Sequence, residues 1–200
     1  CLLSRGLGDV YKRQDLEDAV APQDKENAKK NVIKALNDID FGKKVISIRI
    51  NGLDTHYCYR DVVDVMENAG ERLDLIMIPK AGVPEDVYAI DVLVSQIEDK
   101  TERSKKIGFE LIVETSMGIT NLDKIITGSK RVESLHFGYA DYAASVRMRT
   151  TNIGGTNPDY SILTDEINGE RLVHWNDMWH YPLSKICLLY TSDAADDLLC

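Results

Sequence analysis

The sequence predicts an α/β fold, a fragment of a TIM (β/α)₈ barrel that covers roughly its second to sixth strands. Short apolar segments alternate with segments of helical periodicity, the pattern of parallel strands joined by helices. The segments end at charged residues, namely Asp15, Arg49, Lys80, Glu114 and Asp141. From Arg49 onward these ends are about 30 residues apart, which is the length of one barrel unit. Because the catalytic groups of such barrels lie at the carboxyl ends of the strands, the chain is predicted to be an enzyme fragment.

Four of the predicted strands are short runs of mainly branched aliphatic and aromatic side chains, a composition that favours β-structure. The runs are residues 45–50, 75–78, 109–113 and 135–137. A further strand end is predicted at residues 15–18, where the charged sequence Asp-Leu-Glu-Asp occurs.

The intervals between the strands have helical periodicity, with apolar side chains spaced to form one buried face. The predicted helices are residues 22–36, 60–68, 85–97 and 121–126. Gly70 is predicted to cap the second of them in the left-handed conformation, and Pro84 to begin the third. After Asp141 the sequence is predicted to be loop, above all in the Gly- and Asn-rich segment 152–158.

The two ends of the chain are predicted not to belong to the enzyme. Residues 4–14 resemble a translated sequencing adapter, and residues 187–197 resemble the same kind of adapter read in the opposite direction. We therefore assign residues 1–14 and 187–200 to adapter-like segments, and residues 15–186 to a partial TIM-barrel catalytic domain. Since a closed barrel needs about 200 residues or more, strands are predicted to be missing at both ends.

Composition excludes several function classes. The net charge is −9, and it becomes −8 without the two adapter-like segments, because the first carries three basic residues and one acidic residue and the second carries three acidic residues. This acidic balance argues against nucleic-acid binding, which needs a basic surface. No apolar run is long enough to span a membrane. Cys58 is the only cysteine of residues 15–186, which excludes a disulfide framework and favours the reducing cytoplasm.

The predicted chemistry depends mainly on Glu114 and Asp141. Each follows an apolar strand, so both carboxylates are expected at the mouth of the barrel, where an unpaired charge is unfavourable. A divalent cation would neutralise them, and Mg²⁺ is typically held by one or two carboxylates together with water and substrate oxygens. The alternative is that one or both carboxylates form ion pairs with Arg or Lys in the barrel core.

Five motifs, in order, resemble those of the HpcH/HpaI aldolase and citrate lyase β-subunit superfamily. They are residues 15–20, 49–55, 78–80, 112–115 and 136–145. Within that superfamily, the segments RINGLDT, FGYADYAAS and RTTNIGG and the Trp-rich residues 174–181 most resemble malyl-CoA and β-methylmalyl-CoA lyases. The resemblance covers essentially all of residues 15–186 and implies a TIM barrel.

The resemblance implies a Mg²⁺-dependent carbon–carbon lyase that cleaves a malyl-CoA-type thioester reversibly to glyoxylate and acetyl-CoA or propionyl-CoA. Glu114 and Asp141 are then the metal ligands, with Mn²⁺ as an alternative ion, and Arg49 is the cation that stabilises the thioester enolate. Lys80 and Ala140 are expected to bind substrate with Arg49 and Asp141. Glu17 and Asp18 are expected to orient Arg49, Lys80 or metal-bound water.

The resemblance also implies that the full-length protein is a homo-oligomer, a trimer or hexamer, whose general base is an aspartate from a C-terminal lid of the adjacent subunit. This chain alone is therefore expected to be inactive. Two other activities stay open, a malyl-CoA thioester hydrolase and a metal-dependent pyruvate aldolase of the same superfamily. His56 and Cys58 are expected to be structural, and the aromatic residues 174–181 to pack against an interface or the barrel rim rather than to cover the substrate.

Overall fold

The computed structural model describes residues 11–149, 160–166, 168–175 and 177–189. Its centre is a five-stranded, fully parallel sheet in which each strand pairs with the next in sequence. The strands are β1 (Tyr11–Asp15), β2 (Val45–Arg49), β3 (Leu75–Ile78), β4 (Gly108–Val113) and β5 (Val132–Phe137). Sequential parallel strands with intervening helices are the arrangement of one part of a TIM barrel, so the predicted fold class is confirmed.

A helix follows each strand of the sheet, and the first four helices connect it to the next parallel strand. The helices are α1 (Lys25–Asp38), α2 (Cys58–Ala69), α3 (Pro84–Lys100), α4 (Ser116–Ile125) and α5 (Tyr139–Ser145). A short 3₁₀ turn at Pro22–Asp24 precedes α1, and another at Gly70–Arg72 follows α2. Beyond α5 lie an antiparallel pair, β6 (Ser161–Leu163) and β7 (Val173–Trp175), and a sixth helix, α6 (His180–Leu189).

The apolar core lies between the sheet and the helices α1 to α3. The predicted apolar stripe of α3 is buried, with Val87 and Val94 fully enclosed. Alternate strand residues such as Ile46, Ile48 and Leu111 join the same core. Because side chains alternate across a strand, the residues between them, such as Ser47 and Arg49, face the other side of the sheet, which is the inside of the barrel.

Three local predictions were wrong. Gly70 has a φ of −61° and begins a 3₁₀ turn instead of forming a left-handed cap. Helix α4 begins at Ser116, earlier than predicted, because the Thr115 side chain caps it by accepting a hydrogen bond from the backbone N–H of Gly118 at 2.9 Å. Residues after Asp141 continue in helix α5 up to Ser145, although they were predicted to be loop.

Residues 11–14, which the sequence analysis assigned to an adapter-like segment, form most of β1. They pair in register with β2, from Tyr11 opposite Val45 to Asp15 opposite Arg49. Backbone ladder bonds need no particular side chains, so a free strand edge accepts many sequences. The predicted loop 152–158 lies outside the described residues. No helix in the described part of the chain has the length and apolar character needed to cross a membrane.

Candidate active site

The carboxyl ends of the five parallel strands bring the predicted site residues together at one edge of the sheet. Asp15 and Arg49 end β1 and β2, and Glu114 directly follows β4. Two of the charged residues predicted to end strands lie beyond those strands. Strand β3 ends at Ile78, and Lys80 lies in the turn that follows. Strand β5 ends at Phe137, and Asp141 lies in the first turn of α5.

Arg49 is held by two carboxylates. Its guanidinium contacts both oxygens of Asp15, with Nε 2.9 Å from Oδ1, and its Nη1 lies 2.9 Å from Oε2 of Glu17. Burial disfavours the charge on Asp15, but hydrogen bonds from Arg49 and from the backbone N–H of Glu17 hold its pKa below the usual range. The two hydrogen bonds to Asp15 use two of the five N–H donors of Arg49 and, with the ion pair to Glu17, fix the plane of its fork, which leaves donors for a ligand.

Asp15 is a site residue that the sequence analysis did not assign. It was recognised as the charged end of a strand, but the partner it would take was not evident. The parallel register places Asp15 directly opposite Arg49. The signal that could have identified the pair was a carboxylate at the end of one strand and an arginine at the end of the next.

Glu17 joins the two cations of the site. Glu17 is 4% exposed. Its Oε1 accepts a hydrogen bond from Nζ of Lys80 at 2.6 Å, and its Oε2 contacts Arg49. Asp18 is exposed and lies 3.8 Å from the Lys80 ammonium. Glu17 thus contacts both Arg49 and Lys80, and Asp18 lies near Lys80, while their orienting role stays a prediction.

Lys80 contacts the site with both its backbone and its side chain. Its φ is 55°, in the left-handed region, and its backbone N–H donates to Oε1 of Glu114 at 3.0 Å. Burial opposes the charge of the ammonium, but the hydrogen bond to Glu17 and the charges of Asp18 and Asp141 raise the pKa of Lys80 above its ordinary value. A lysine held in the charged form is a poor nucleophile, which favours an electrostatic role over a Schiff base.

Glu114 is a buried carboxylate without an ion pair within 4.0 Å among the described residues. Burial and the neighbouring charge of Asp141 raise its pKa to about 7, against the opposing hydrogen bond from the backbone N–H of Lys80. Asp141 is about one-third exposed, and its Oδ2 lies 3.7 Å from Nζ of Lys80. Ala140, also predicted to bind substrate, is exposed beside it.

The site carries more negative than positive charge, with five carboxylates against the cations Arg49 and Lys80. The carboxylates belong to Asp15, Glu17, Asp18, Glu114 and Asp141. Within the described ranges, no group of three or more His, Cys, Asp and Glu side chains is arranged to hold a metal. If Glu114 and Asp141 bind a metal, the ion would have to be one that accepts few protein ligands and keeps its water.

Lys80→Gly is expected to be more stable than Lys80→Ala. Both variants lose the ammonium, but glycine adopts a positive φ freely, whereas an L side chain in that conformation costs about 1–2 kcal/mol. Urea unfolding of the full-length protein would measure the difference. At Lys34, an exposed position in α1, the order should reverse, because glycine weakens a helix. Equal or greater stability of Lys80→Ala would show that the left-handed turn is not required.

A polar layer lies beneath the site, centred on the buried Glu110 of β4. Its carboxylate accepts a hydrogen bond from Oγ of Ser47 at 2.5 Å and contacts Nε2 of His136 at 3.1 Å and the hydroxyl of Tyr11. The sequence analysis did not anticipate this layer, because Glu110 was read as part of an apolar strand. Burial opposes its charge, but hydrogen bonds from His136, Ser47 and Tyr11 lower the pKa of Glu110 to about 2.

Glu110→Gln is expected to destabilise the protein at pH 7 by roughly 1–3 kcal/mol, because the amide removes the charge and replaces one of the oxygens that accept from Ser47 and His136 by an N–H₂ donor. The pKa of Glu110 is lower in the folded protein than its unfolded value of about 4.3, so its charge stabilises the fold at pH values above about 4.3. This stabilisation is lost as the pH falls toward about 2. The difference in unfolding free energy between wild type and Glu110→Gln, measured by urea titration, should therefore shrink between pH 5 and pH 3. A difference that is constant with pH would contradict this.

His56 and Cys58 take no part in the site. The His56 ring contacts the ring of Tyr57 in a tilted arrangement with 3.9 Å between centroids, and Cys58 is buried at the start of α2. Burial and the charges of Asp61 and Asp54 raise the pKa of the Cys58 thiol to about 12, so it is not a nucleophile at neutral pH. This agrees with the structural role that the sequence analysis expected for both.

Comparison with known proteins extends these observations. A family model for HpcH/HpaI aldolase/citrate lyase matches residues 14–157. The L-malyl-CoA/β-methylmalyl-CoA lyase of Cereibacter sphaeroides is 50% identical over 172 residues, which cover 86% of this chain and 52% of that protein. The chain thus spans about half the length of the curated relatives it matches.

Solved structures show the same fold. The citrate lyase β subunit of Mycobacterium tuberculosis superimposes with a TM-score of 0.60 at 20% identity, covering 94% of this chain and 67% of that one. The protein CitE of the same organism, in complex with magnesium and acetoacetate, has a TM-score of 0.58 at 19% identity, covering 88% of this chain and 57% of that one. The family match over residues 14–157, more than half of its length, shows that the chain belongs to the HpcH/HpaI aldolase/citrate lyase family.

Proposed function

We propose that residues 15–186 are part of a Mg²⁺-dependent carbon–carbon lyase that cleaves malyl-CoA or β-methylmalyl-CoA to glyoxylate and acetyl-CoA or propionyl-CoA. The observation that carries the proposal is the arrangement at one sheet edge, where Lys80 contacts Glu114 and Asp141 and is linked to Arg49 through Glu17. The named function of a relative that is 50% identical supports the choice of substrate.

The residues present fit a divalent cation. Glu114 is buried beside another carboxylate, and without an added positive charge its pKa is raised to about 7 by burial and by Asp141. Glu114 and Asp141 would hold the ion, which as Mg²⁺ would polarise the carbonyl of the glyoxylate portion and orient it. The ion-pair alternative accounts for Asp141, which lies near Lys80, but supplies no cationic side chain within 4.0 Å of Glu114 among the described residues.

Arg49 is proposed to stabilise the enolate. Cleavage breaks the bond between the hydroxylated carbon and the α-carbon of the thioester. The hydroxyl loses its proton as it becomes the aldehyde of glyoxylate, and the electron pair passes to the thioester enolate, which then takes up a proton at the α-carbon. Arg49, oriented by Asp15 and Glu17, retains N–H donors that can meet the developing enolate oxygen. We assign the proton transfers to a group of an adjacent subunit in a trimer or hexamer.

Lys80 is proposed to bind the carboxylate of the glyoxylate portion. Its ammonium already lies among three carboxylates, at 2.6 Å from Glu17, 3.8 Å from Asp18 and 3.7 Å from Asp141. It therefore offers a fixed positive charge next to the proposed metal ligands. We place the enzyme in the cytoplasm, since the one cysteine of residues 15–186, Cys58, is a buried free thiol.

Residues 15–186 are proposed as the boundaries of the enzyme part. The family match begins at residue 14, and the range 15–186 has the same length, 172 residues, as the alignment with the Cereibacter sphaeroides lyase. Sequencing the source locus tests this. Natural sequence should differ from residues 1–14 and 187–200, whereas recovery of those segments from independent genomic clones would contradict the assignment.

Product analysis of the full-length enzyme tests the activity. With malyl-CoA and Mg²⁺, a lyase yields glyoxylate and acetyl-CoA in equal amounts, and chelation of the metal abolishes both. A thioester hydrolase would instead yield malate and free CoA. A pyruvate aldolase would leave the thioester intact and condense pyruvate with an aldehyde. Either of these two results, without glyoxylate formation, would overturn the proposal.

A further inference from the structure

Trp179 is a buried aromatic residue outside the group of charged site residues. It lies in the turn before α6 and is 6% exposed. Its ring is perpendicular to that of Tyr139, with 5.2 Å between centroids, and lies 6.0 Å from Phe137 and 6.4 Å from Tyr142. These are the separations and tilted arrangements that aromatic pairs favour. The expectation that this aromatic segment packs on the barrel rim is thus met at Trp179.

The three partners of Trp179 surround Asp141 in the sequence and also contact one another. Phe137 ends β5, Tyr139 begins α5, and Tyr142 directly follows Asp141. The Phe137 ring lies 4.8 Å from Tyr139 and 5.2 Å from Tyr142. The four rings therefore form one cluster around the strand-to-helix junction that carries Asp141.

The backbone of this junction also lies close to Glu114. A Cβ atom on Gly138 would lie 2.3 Å from Oε2 of Glu114 and 2.6 Å from its Cβ, so only glycine allows the backbone to approach this closely. Helix α5 is seven residues long, too short to be stable by itself. Its position must therefore come from packing, and the junction contacts both Glu114, at Gly138, and the aromatic cluster, at Phe137, Tyr139 and Tyr142.

Trp179 is itself anchored through α6. Nζ of Lys185 donates to the backbone carbonyl of Ile119 at 2.5 Å and lies 3.2 Å from that of Thr120, both in α4. Ile186 packs into the cluster of Val113, Ile119 and Leu122. Helix α4 follows β4, the strand that ends next to Glu114. Glu114 and Trp179 are therefore both fixed to the same β4–α4 unit.

We propose that Trp179 is a positioning residue that holds Asp141 beside Glu114, so that the two carboxylates can bind one divalent ion. The proposal deepens the proposed function and rests on it for the role of the ion. The hold of Trp179 on the β5–α5 junction is a structural claim that does not depend on any metal, and the two parts can be tested separately.

Hydrogen exchange, read by mass spectrometry in the metal-free full-length protein, tests the hold on the junction. Trp179→Leu should speed exchange in residues 138–146 and leave the core strand β3 protected, whereas Trp179→Phe, which keeps a ring in the cluster, should stay near wild type. His180→Ala is the matched control, because His180 is exposed and next to Trp179, and has no ring contact among the described residues. Unchanged exchange in residues 138–146 of Trp179→Leu, with the fold intact, would overturn the proposal.

Calorimetric titration with Mg²⁺ alone tests the consequence for the site. Trp179→Leu should bind Mg²⁺ roughly 10- to 100-fold more weakly, as is typical when a residue that orients a metal ligand is removed. Trp179→Phe should recover most of that loss, and His180→Ala should bind as wild type does. If wild type binds no Mg²⁺, the proposed function fails while the exchange result still decides the structural claim. If wild type and Trp179→Leu bind equally, the positioning role is excluded.

If Trp179→Leu does not fold, Trp179→Phe and Tyr139→Leu decide the proposal. Wild-type exchange and Mg²⁺ affinity in Trp179→Phe support the role of the ring. Exchange and Mg²⁺ affinity that stay at wild-type values in Tyr139→Leu would overturn it.

Discussion

Glu114→Gln and Asp141→Asn are each expected to abolish Mg²⁺-dependent cleavage of malyl-CoA in the full-length enzyme while the fold is retained. The proposed site holds a hard cation with these two carboxylates, so replacing one by an amide removes half of the protein's charge at the ion. The effect on folding should be small, because the charge on Glu114 is already disfavoured by burial and by Asp141, which raise its pKa to about 7.

Glyoxylate formation, calorimetric Mg²⁺ titration and circular dichroism would measure the three quantities. Asp123→Asn provides the matched control, since Asp123 is an exposed carboxylate on α4, the helix that follows Glu114. It should leave activity and Mg²⁺ affinity unchanged. Wild-type Mg²⁺ affinity in both Glu114→Gln and Asp141→Asn would instead indicate that these residues only form ion pairs in the barrel.

Arg49→Lys is expected to lower kcat by roughly 10²–10³-fold with a smaller change in KM, the loss seen when an oxyanion donor is removed. Lysine keeps the charge but lacks the planar fork, and it cannot contact both oxygens of Asp15 and also Glu17 as Arg49 does. An interaction made only in the transition state affects kcat, whereas one made equally with the bound substrate affects KM.

Steady-state kinetics in the cleavage direction, with saturating Mg²⁺, separate these two cases. Arg60→Lys, at an exposed position on α2, should have wild-type constants. A rise in KM with unchanged kcat in Arg49→Lys would assign Arg49 to binding of a ground-state carboxylate and would refute its role at the enolate.

The sheet could be predicted from the sequence because its signal is local. The strands β2, β3 and β4 are short buried runs such as Leu75–Ile78, all four residues of which are buried, and the helices between them have clear apolar faces. Parallel strands align their carboxyl ends, so the charged residues predicted at those ends were expected to meet at one edge of the sheet. Arg49, Lys80, Glu114 and Asp141 could therefore be assigned to one edge of the sheet before the structure was known.

Features that depend on tertiary contacts could not be predicted. The pairing of Asp15 with Arg49 requires the register between β1 and β2. Helix α5 has too few residues to give a helical signal and is held by aromatic packing. The left-handed turn at Lys80 is unusual for a lysine and is accompanied by the contacts of its backbone N–H with Glu114 and of its ammonium with Glu17. In each case residues distant in the sequence determine the local structure.

A crystal structure of the full-length enzyme soaked with Mn²⁺ tests the central claim most directly, because Mn²⁺ gives an anomalous signal and prefers the oxygen ligands that Mg²⁺ takes. We expect one anomalous peak between the carboxylates of Glu114 and Asp141, at about 2 Å from an oxygen of each, and its loss in Glu114→Gln. A peak bound by other residues, or no peak at this edge of the sheet in wild type, would contradict the assignment of these two carboxylates as the metal site.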